Sequence, residues 1–306
     1  MQIESLQSTW YTIFNPTSGG GINRKKLGRI FSYLNQYNIS YEFIKTQYPH
    51  HEEVLVQNAI NQGYSKFICI GGDGTIHHMI NGIMKQEFIE TNKIKIAVIP
   101  TGTGNDWIKN YQIPKDPKKA VQLIKNTKSI LQDIGKIHLQ NEDKVAYFNN
   151  AAGIGFDAYV VKNLSSFKKW GSLAYIVAAL SSFTSFKKNK ITYSIDSVKN
   201  RSDIFLFSIG ICKYAGAGMQ LTDFKNHKNG FFDLTMIKSI SFISVVSQII
   251  KLYTGNISTV KQAHCSHVQK LILLNNNSFY IQADGELIGK GEASIELIPN
   301  AIRFIV

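Results

Sequence analysis

Asp73 stands among glycines in FICIGGDGTIHHMINGI, residues 67–83, with Thr75 close behind it. Gly71, Gly72 and Gly74 let the backbone approach a ligand with no Cβ in the way, and Thr75 adds a hydroxyl. Phe67 to Ile70 is a short continuous apolar run, the pattern of a strand buried in a parallel sheet. Ile76, Met79, Ile80 and Ile83 then recur at helical spacing, so a helix should open at Thr75 or its neighbour. A strand, a glycine turn and a helix N-terminus together aim backbone N–H groups and the positive end of a dipole at an anion. A carboxylate in that turn repels bare phosphate. It makes sense if a magnesium ion or a basic side chain stands between them, which suggests a metal-loaded nucleotide. The competing reading is a tight turn with a solvent-facing aspartate. The loop has no Gly-Lys-Ser/Thr ending, so it is not a Walker A loop, and His77 stands where the third glycine of a dinucleotide fingerprint would be.

The elements that would position such a loop recur nearby. WYTIFNPTSGGG runs from an apolar stretch, Trp10 to Phe14, into Asn15 and a glycine triplet, and Arg24, Lys25 and Lys26 follow. IKIAVIPTGTGNDW runs from Ile94 to Ile99 into Thr101, Gly102, Thr103, Gly104, Asn105 and Asp106. Helical patterns separate these junctions, at Leu27-Ile30-Phe31-Leu34 and Val54-Val56-Ile60. In an open α/β sheet such loops gather at the carboxyl ends of the strands, where ligands bind. From Asp133 onward the chain changes character. Short aromatic and β-branched runs such as KITYSID, IFLFSIGI and HVQKLILL, broken by polar turns, indicate an all-β region. Helical interruptions are expected near Ala158–Ser185 and Ile243–Tyr253.

NPTSGGG, GGDGTIHHMINGI and PTGTGNDW, in that order, resemble the three signatures of the diacylglycerol kinase catalytic fold of soluble bacterial lipid kinases, which are related to sphingosine and ceramide kinases. A fourth block, ADGELIG at Ala283 to Gly289, is similar to that family's Asp-Gly-Glu segment. The resemblance implies an α/β plus β architecture: a three-layer α/β nucleotide-binding domain over residues 1–131, a β-sandwich-like lipid-substrate domain over 132–292, and an active site in the cleft between them. Residues 293–306 would return to the first domain. It implies an ATP- and magnesium-dependent lipid kinase, with diacylglycerol as acceptor and phosphatidic acid as product.

Phosphoryl transfer asks the protein mainly to position oxygens and neutralise spreading charge, helped by a base that takes the hydroxyl proton. On the resemblance, Gly71, Gly72, Gly74 and Thr75 face the ATP phosphates, with Asn15 and Thr103 beside them and Thr46 at the nucleotide. Asp73, Asp106 and Asp133 match acidic positions used around magnesium, directly or through water. Asp284 and Glu286 match the catalytic pair, with Asp284 favoured as base and Glu286 as a metal- or phosphate-side partner. Plainer readings compete. Asp106 would cap a helix before Trp107, Asp133 would start a strand, and Asp284-Gly285 would form a hairpin turn. The segment LTDFKNHKNGFFDL departs from the family: Lys228 and Asn229 stand where paired acids hold a structural magnesium, so that second metal site is not expected.

A net charge of +13 attracts polyanions. No nucleic-acid-binding module is visible, so the expected partner is an anionic membrane surface, bound peripherally from the cytoplasm, together with the lipid substrate; a homodimer is a further candidate. SSFKKWGS and FTSFKKNK set aromatics beside lysine pairs as interfacial anchors do. The uncharged run from Trp170 to Phe186 suits a core or substrate-covering helix better than a membrane span. The first residues lack the basic region and apolar core of a signal peptide. Cys69, Cys212 and Cys265 are scattered and odd in number, as in a reducing compartment. AHCSH, residues 263–267, is a weak metal motif, and His77 and His78 read as helix-surface residues. An NAD kinase, whose family shares Gly-Gly-Asp-Gly-Thr, and a non-catalytic lipid- or nucleotide-binding protein are the alternatives.

Overall fold

The computed structural model describes residues 6, 8–21, 24–102, 105–164, 166–167, 174–187, 189–216, 218–220, 222, 230–244, 257–274 and 279–306. Two compact units divide it, residues 1–132 with 300–306, and 133–299.

The first unit alternates strand and helix: β1 (Trp10–Phe14), α1 (Arg24–Gln36), β2 (Tyr41–Lys45), α2 (His51–Asn61), β3 (Lys66–Gly71), α3 (Asp73–Lys85), β4 (Lys95–Pro100), then α4 (Asp106–Asn110) and α5 (Pro117–Asn126). β1 pairs in parallel with β2 and β3, and β3 with β4. Arg303 and Phe304, from the end of the chain, run parallel to Lys95 and Ile96. The side-chain alternation of these strands fills two faces. Trp10, Phe14, Ile68, Ile70, Ala97 and Ile99 pack with Ile30 and Leu34 of α1 and Val121 and Ile124 of α5. Ile13, Phe67, Cys69, Ile96 and Val98 point the other way, are equally buried, and lie on the side of α2 and α3. The result is three layers. Local chemistry sets the boundaries: α5 opens on Asp116, whose Oδ1 accepts the Lys119 N–H at 2.9 Å, with Pro117 in the first turn. α3 opens at Asp73 rather than Thr75, because Gly72 is the extended residue before the helix and an acid at the first helical position suits the dipole.

The second unit comprises β5 (Ser129–Leu139, which begins in the first unit), β6 (Lys144–Phe148), β7 (Ala151–Gly155), α6 (Phe156–Asn163), α7 (Ala174–Phe183), β8 (Asn189–Ile195), β9 (Val198–Ile204), β10 (Leu206–Gly210), β11 (Phe232–Ile237), β12 (Ala263–Val268), β13 (Lys270–Leu274), β14 (Tyr280–Ala283), β15 (Glu286–Lys290) and β16 (Ala293–Ile305). One antiparallel sheet has the order β12-β11-β10-β7-β14-β15. β9, β8, β13 and the first residues of β16 form a second antiparallel run. Inward residues of both, among them Phe207, Phe232, Ile281, Leu271 and Ile295, share one core. Gly135 is obligatory in it, since a Cβ there would lie 2.1 Å from the Phe148 ring.

Phe183 and Phe186, from the segment FTSFKKNK, are half-buried and lie edge-on or tilted against Phe156 and Phe205. Much of SSFKKWGS and of Ile243–Tyr253 lies outside the described residues, as do Asp223, Lys228 and Asn229. Among the described residues no helix is long and apolar enough to cross a membrane. None of the three cysteines forms a disulfide; Cys69 and Cys212 are buried and Cys265 is exposed.

α2 and α3 touch through main chain: a Cβ at Gly82 would lie 2.7 Å from the Glu53 carbonyl oxygen. Glu53 is held there by Lys85 at 2.8 Å and His78 at 3.3 Å. Burial pushes its carboxyl up, but the hydrogen bonds and charges of His78 and Lys85 outweigh this and leave it at about 2, below an ordinary value of 4.5. A depressed folded-state pKa stabilises above the unfolded value, and that contribution is lost as pH falls from about 4.5 towards about 2. Glu53→Gln should therefore cost on the order of 1–3 kcal/mol at pH 7 and progressively less below pH 4, read from denaturant unfolding at each pH.

Candidate active site

The three glycine loops of the first unit meet at the carboxyl ends of β1, β3 and β4. Main-chain bonds start the gathering: Asn15 N–H donates to Ile70 O at 3.2 Å, Thr46 N–H to Phe14 O at 3.0 Å, and Thr101 N–H to Gly71 O at 2.8 Å. The glycines then allow contact closer than side chains permit. A Cβ on Gly102 would lie 2.8 Å from Gly72 Cα and 2.9 Å from Asn105 Oδ1, and one on Gly19, where φ is +63°, would lie 2.1 Å from the Thr101 carbonyl oxygen. Gly71 leaves room for Thr75, whose Oγ1 would otherwise lie 2.5 Å from a Cβ. Gly72 links β3 to α3 and Gly74 belongs to the first turn of α3. Thr103 and Gly104 lie outside the described residues.

Asp73 is half-buried, and its carboxylate reaches across to the third loop. Oδ2 accepts the Asp106 N–H at 2.8 Å and Oδ1 the Trp107 N–H at 3.4 Å, so the side chain caps α4 from outside that helix. The solvent-facing reading of Asp73 is thereby overturned, because two helix-terminal donors draw the side chain inward. Asn105, in the left-handed region at φ +52°, is the residue preceding α4, and Asp106 is its first residue, buried, instead of its cap. Trp107 is buried too, its indole N–H donating to Gln132 Oε1 at 2.9 Å.

Asn15 is similarly engaged. Its Oδ1 accepts the Thr17 N–H and hydroxyl at 3.0 and 2.8 Å, and its Nδ2 donates to Glu52 Oε1 at 3.0 Å. Glu52 is 2% exposed, a buried carboxylate beneath the first loop that no spacing in the sequence singled out. Ser18, whose Oγ accepts from the Thr101 hydroxyl at 3.4 Å, was also missed, although its place beside the glycine triplet was a usable signal. Thr46 is buried, and Asp133 is half-buried inside β5 rather than at its start. His77 is buried against Asn81 and His78 is bound to Glu53; neither is a plain surface histidine, because α3 packs on α2 along this face.

In the second unit Asp284 and Gly285, at φ +51° and +86°, form the two-residue turn between β14 and β15, a hairpin turn for which Asp-Gly is favoured. Asp284 also serves as an anchor. Oδ1 accepts the N–H groups of Asn150 and Ala151 at 2.9 and 3.0 Å, and Oδ2 that of Asn149 at 3.0 Å. Glu286, half-buried at the start of β15, makes no hydrogen bond or ion pair through its carboxylate to another described residue. Behind the turn, Gln282 accepts the Gly285 N–H at 2.9 Å and donates to Asp157 Oδ2 at 2.7 Å; Tyr175 donates to the other oxygen of Asp157. Burial raises the Asp157 pKa and these donors oppose the rise. Gly153 makes room for this carboxylate, since a Cβ there would lie 1.7 Å from Oδ2.

His264 and Cys265 of AHCSH are exposed on β12, and His267 pairs with Asp233 at 2.9 Å. Asp73 and Asp106 do not belong to the described set of three metal-capable side chains whose ligand atoms approach within 4.8 Å. Gly102→Ala should destabilise the chain by about 1–3 kcal/mol, because the Gly72 main chain and the Asn105 side chain must both give way. Gly28→Ala, with open space and a helical backbone, should instead stabilise by about 0.5–1 kcal/mol; thermal melts of the two variants check the contrast.

Residues 9–137 match the model of the diacylglycerol kinase catalytic domain, and residues 150–306 that of the YegS C-terminal NAD kinase beta sandwich-like domain. A diacylglycerol kinase of Staphylococcus carnosus is 26% identical over 91% of this chain and 88% of its own, and one of Bacillus subtilis is 27% identical over 78% of each. A crystal structure of a diacylglycerol kinase from Bacillus anthracis superposes with a TM-score of 0.72 at 19% identity, covering 98% of this chain and 96% of that one, a likeness of fold. The two matched domains, following one another along the chain, make it a member of the diacylglycerol kinase-like family of lipid kinases.

Proposed function

We propose that the chain transfers the γ-phosphate of ATP, with magnesium, to the hydroxyl of diacylglycerol, giving phosphatidic acid. The observation that carries the reading is the approach of Gly19, Gly72 and Gly102 at the carboxyl ends of three parallel strands, with Asp73 tying two of the loops together. Gly71, Gly72, Gly74 and Thr75 would cradle phosphate at the start of α3, with Asn15, Thr46 and Thr103 at its margins. The hard oxygens of Asp73 suit magnesium held through water, and Asp106 and Asp133 would add charge around the ion. When bound, magnesium would neutralise charge on the phosphate oxygens.

Asp284 and Glu286 divide the remaining work in this reading. Three N–H groups occupy most of the acceptor sites of Asp284, so it would hold the hairpin in place, whereas Glu286 has room to accept the proton of the lipid hydroxyl. This reading takes Glu286, in place of Asp284, as the base. The β-rich unit would receive the lipid, and the charge of +13 favours an anionic bilayer as the place of encounter. The NAD kinase in the description of the second matched domain supports testing NAD as a competing acceptor.

The test is incubation with γ-labelled ATP, magnesium and phosphatidylglycerol vesicles carrying diacylglycerol, or with NAD. Label should enter phosphatidic acid; label in NADP, or in no acceptor, would sink the proposal. Glu286→Gln should lower kcat by about 10²–10⁴-fold with the melting temperature unchanged. Asp284→Asn should destabilise by about 1–3 kcal/mol, because lost acceptor capacity strands backbone donors.

A further inference from the structure

α2 and α3 carry a side-chain set that phosphoryl transfer does not use. His50 is the residue before α2, Glu53 lies in its first turn, and His78 faces them from α3. His50 Nδ1 is 3.2 Å from His78 Nδ1, which is 3.3 Å from Glu53 Oε1. One ligand atom from each of the three residues lies within 4.8 Å of the other two. Ligands on a tetrahedral zinc ion at about 2.0–2.1 Å stand about 3.3 Å apart, so both measured distances match edges of such a polyhedron. Two imidazoles and one carboxylate select a late first-row divalent ion over magnesium and leave a fourth position for water.

The surroundings hold these ligands in register. The other Glu53 oxygen, Oε2, accepts from Lys85 Nζ at 2.8 Å, which fixes the carboxylate's rotation with Oε1 towards the histidines. The main chains of α2 and α3 are in contact at Gly82 and Glu53, so backbone packing sets the spacing across the site. His50 holds a left-handed backbone at φ +64° and is exposed, while Glu53 and His78 are half-buried, so an ion has an approach from solvent. The neighbouring His51 is engaged elsewhere: its Nδ1 accepts the Gln47 N–H at 3.2 Å and its ring stacks on Tyr48.

We propose that His50 Nδ1, His78 Nδ1 and Glu53 Oε1 bind a zinc-class divalent ion that clamps α2 to the helix opened by Asp73. The test uses the full chain freed of metal with a chelator. Zinc titrated in a calorimeter should bind at one equivalent, and cobalt should give the visible spectrum of a four-coordinate site. His50→Asn, which keeps a residue tolerant of the left-handed backbone, and His78→Ala should each weaken zinc binding by at least about 100-fold, the upper end of what loss of an outer partner alone costs. His264→Ala, on a strand of the other unit, should bind as the parent does. If the two imidazoles only share a hydrogen bond, no saturable zinc binding will appear, or His50→Asn will bind zinc as tightly as the parent; either result overturns the site.

Discussion

A carboxylate set in a glycine turn at the start of a helix has to be balanced by something, and in this chain backbone provides the balance. Asp73 accepts the first N–H groups of α4, so the acid of one loop completes the helix opened by another. Two problems have one solution. The turn can carry a negative charge without a free carboxylate aimed at an incoming anion, and a short helix too small to stabilise itself acquires a cap. The mutual approach of Gly72 and Gly102 follows from this, because the side chain spans the loops only if their backbones nearly touch.

The second unit repeats the device with different parts. Asp284 sits at the tip of a two-residue hairpin and takes three N–H groups from residues 149–151, which lead from β6 into β7. Gln282 links the same tip to Asp157, a buried carboxylate whose space exists only because residue 153 is glycine. A hairpin tip is ordinarily among the more mobile parts of a fold. Here it is fastened from two sides, which is what a carboxylate needs if the next side chain along, that of Glu286, is to meet a reacting hydroxyl at a fixed place.

Where the residues were ambiguous, neighbours decided. His77 and His78 follow a phosphate-type turn and look like helix-surface residues, yet α2 covers them, and the pairing of Glu53 with His78 and Lys85 is invisible without that packing. Phe186 beside two lysines has the composition of a membrane anchor, and in the fold it is half-buried with its ring edge-on to those of Phe205 and Phe156. Composition records what a side chain can do in water or in a bilayer. Burial is a property of what the rest of the chain places over it.

The alternation of apolar runs, glycine turns and amphipathic helices in the first third of the chain determined a parallel α/β sheet with its loops at one edge, because these periods and turn residues are local properties of the backbone. The four ordered motifs likewise carried the family, and the Asp-Gly pair carried its own hairpin. What only the tertiary structure decided was the partner of each carboxylate: Asp73 with α4, Glu52 with Asn15, Asp157 with Tyr175 and Gln282, Asp284 with residues 149–151. Those partners stand many residues away along the chain, and a hydrogen bond specified by distance and angle exists only once packing has brought its two ends together.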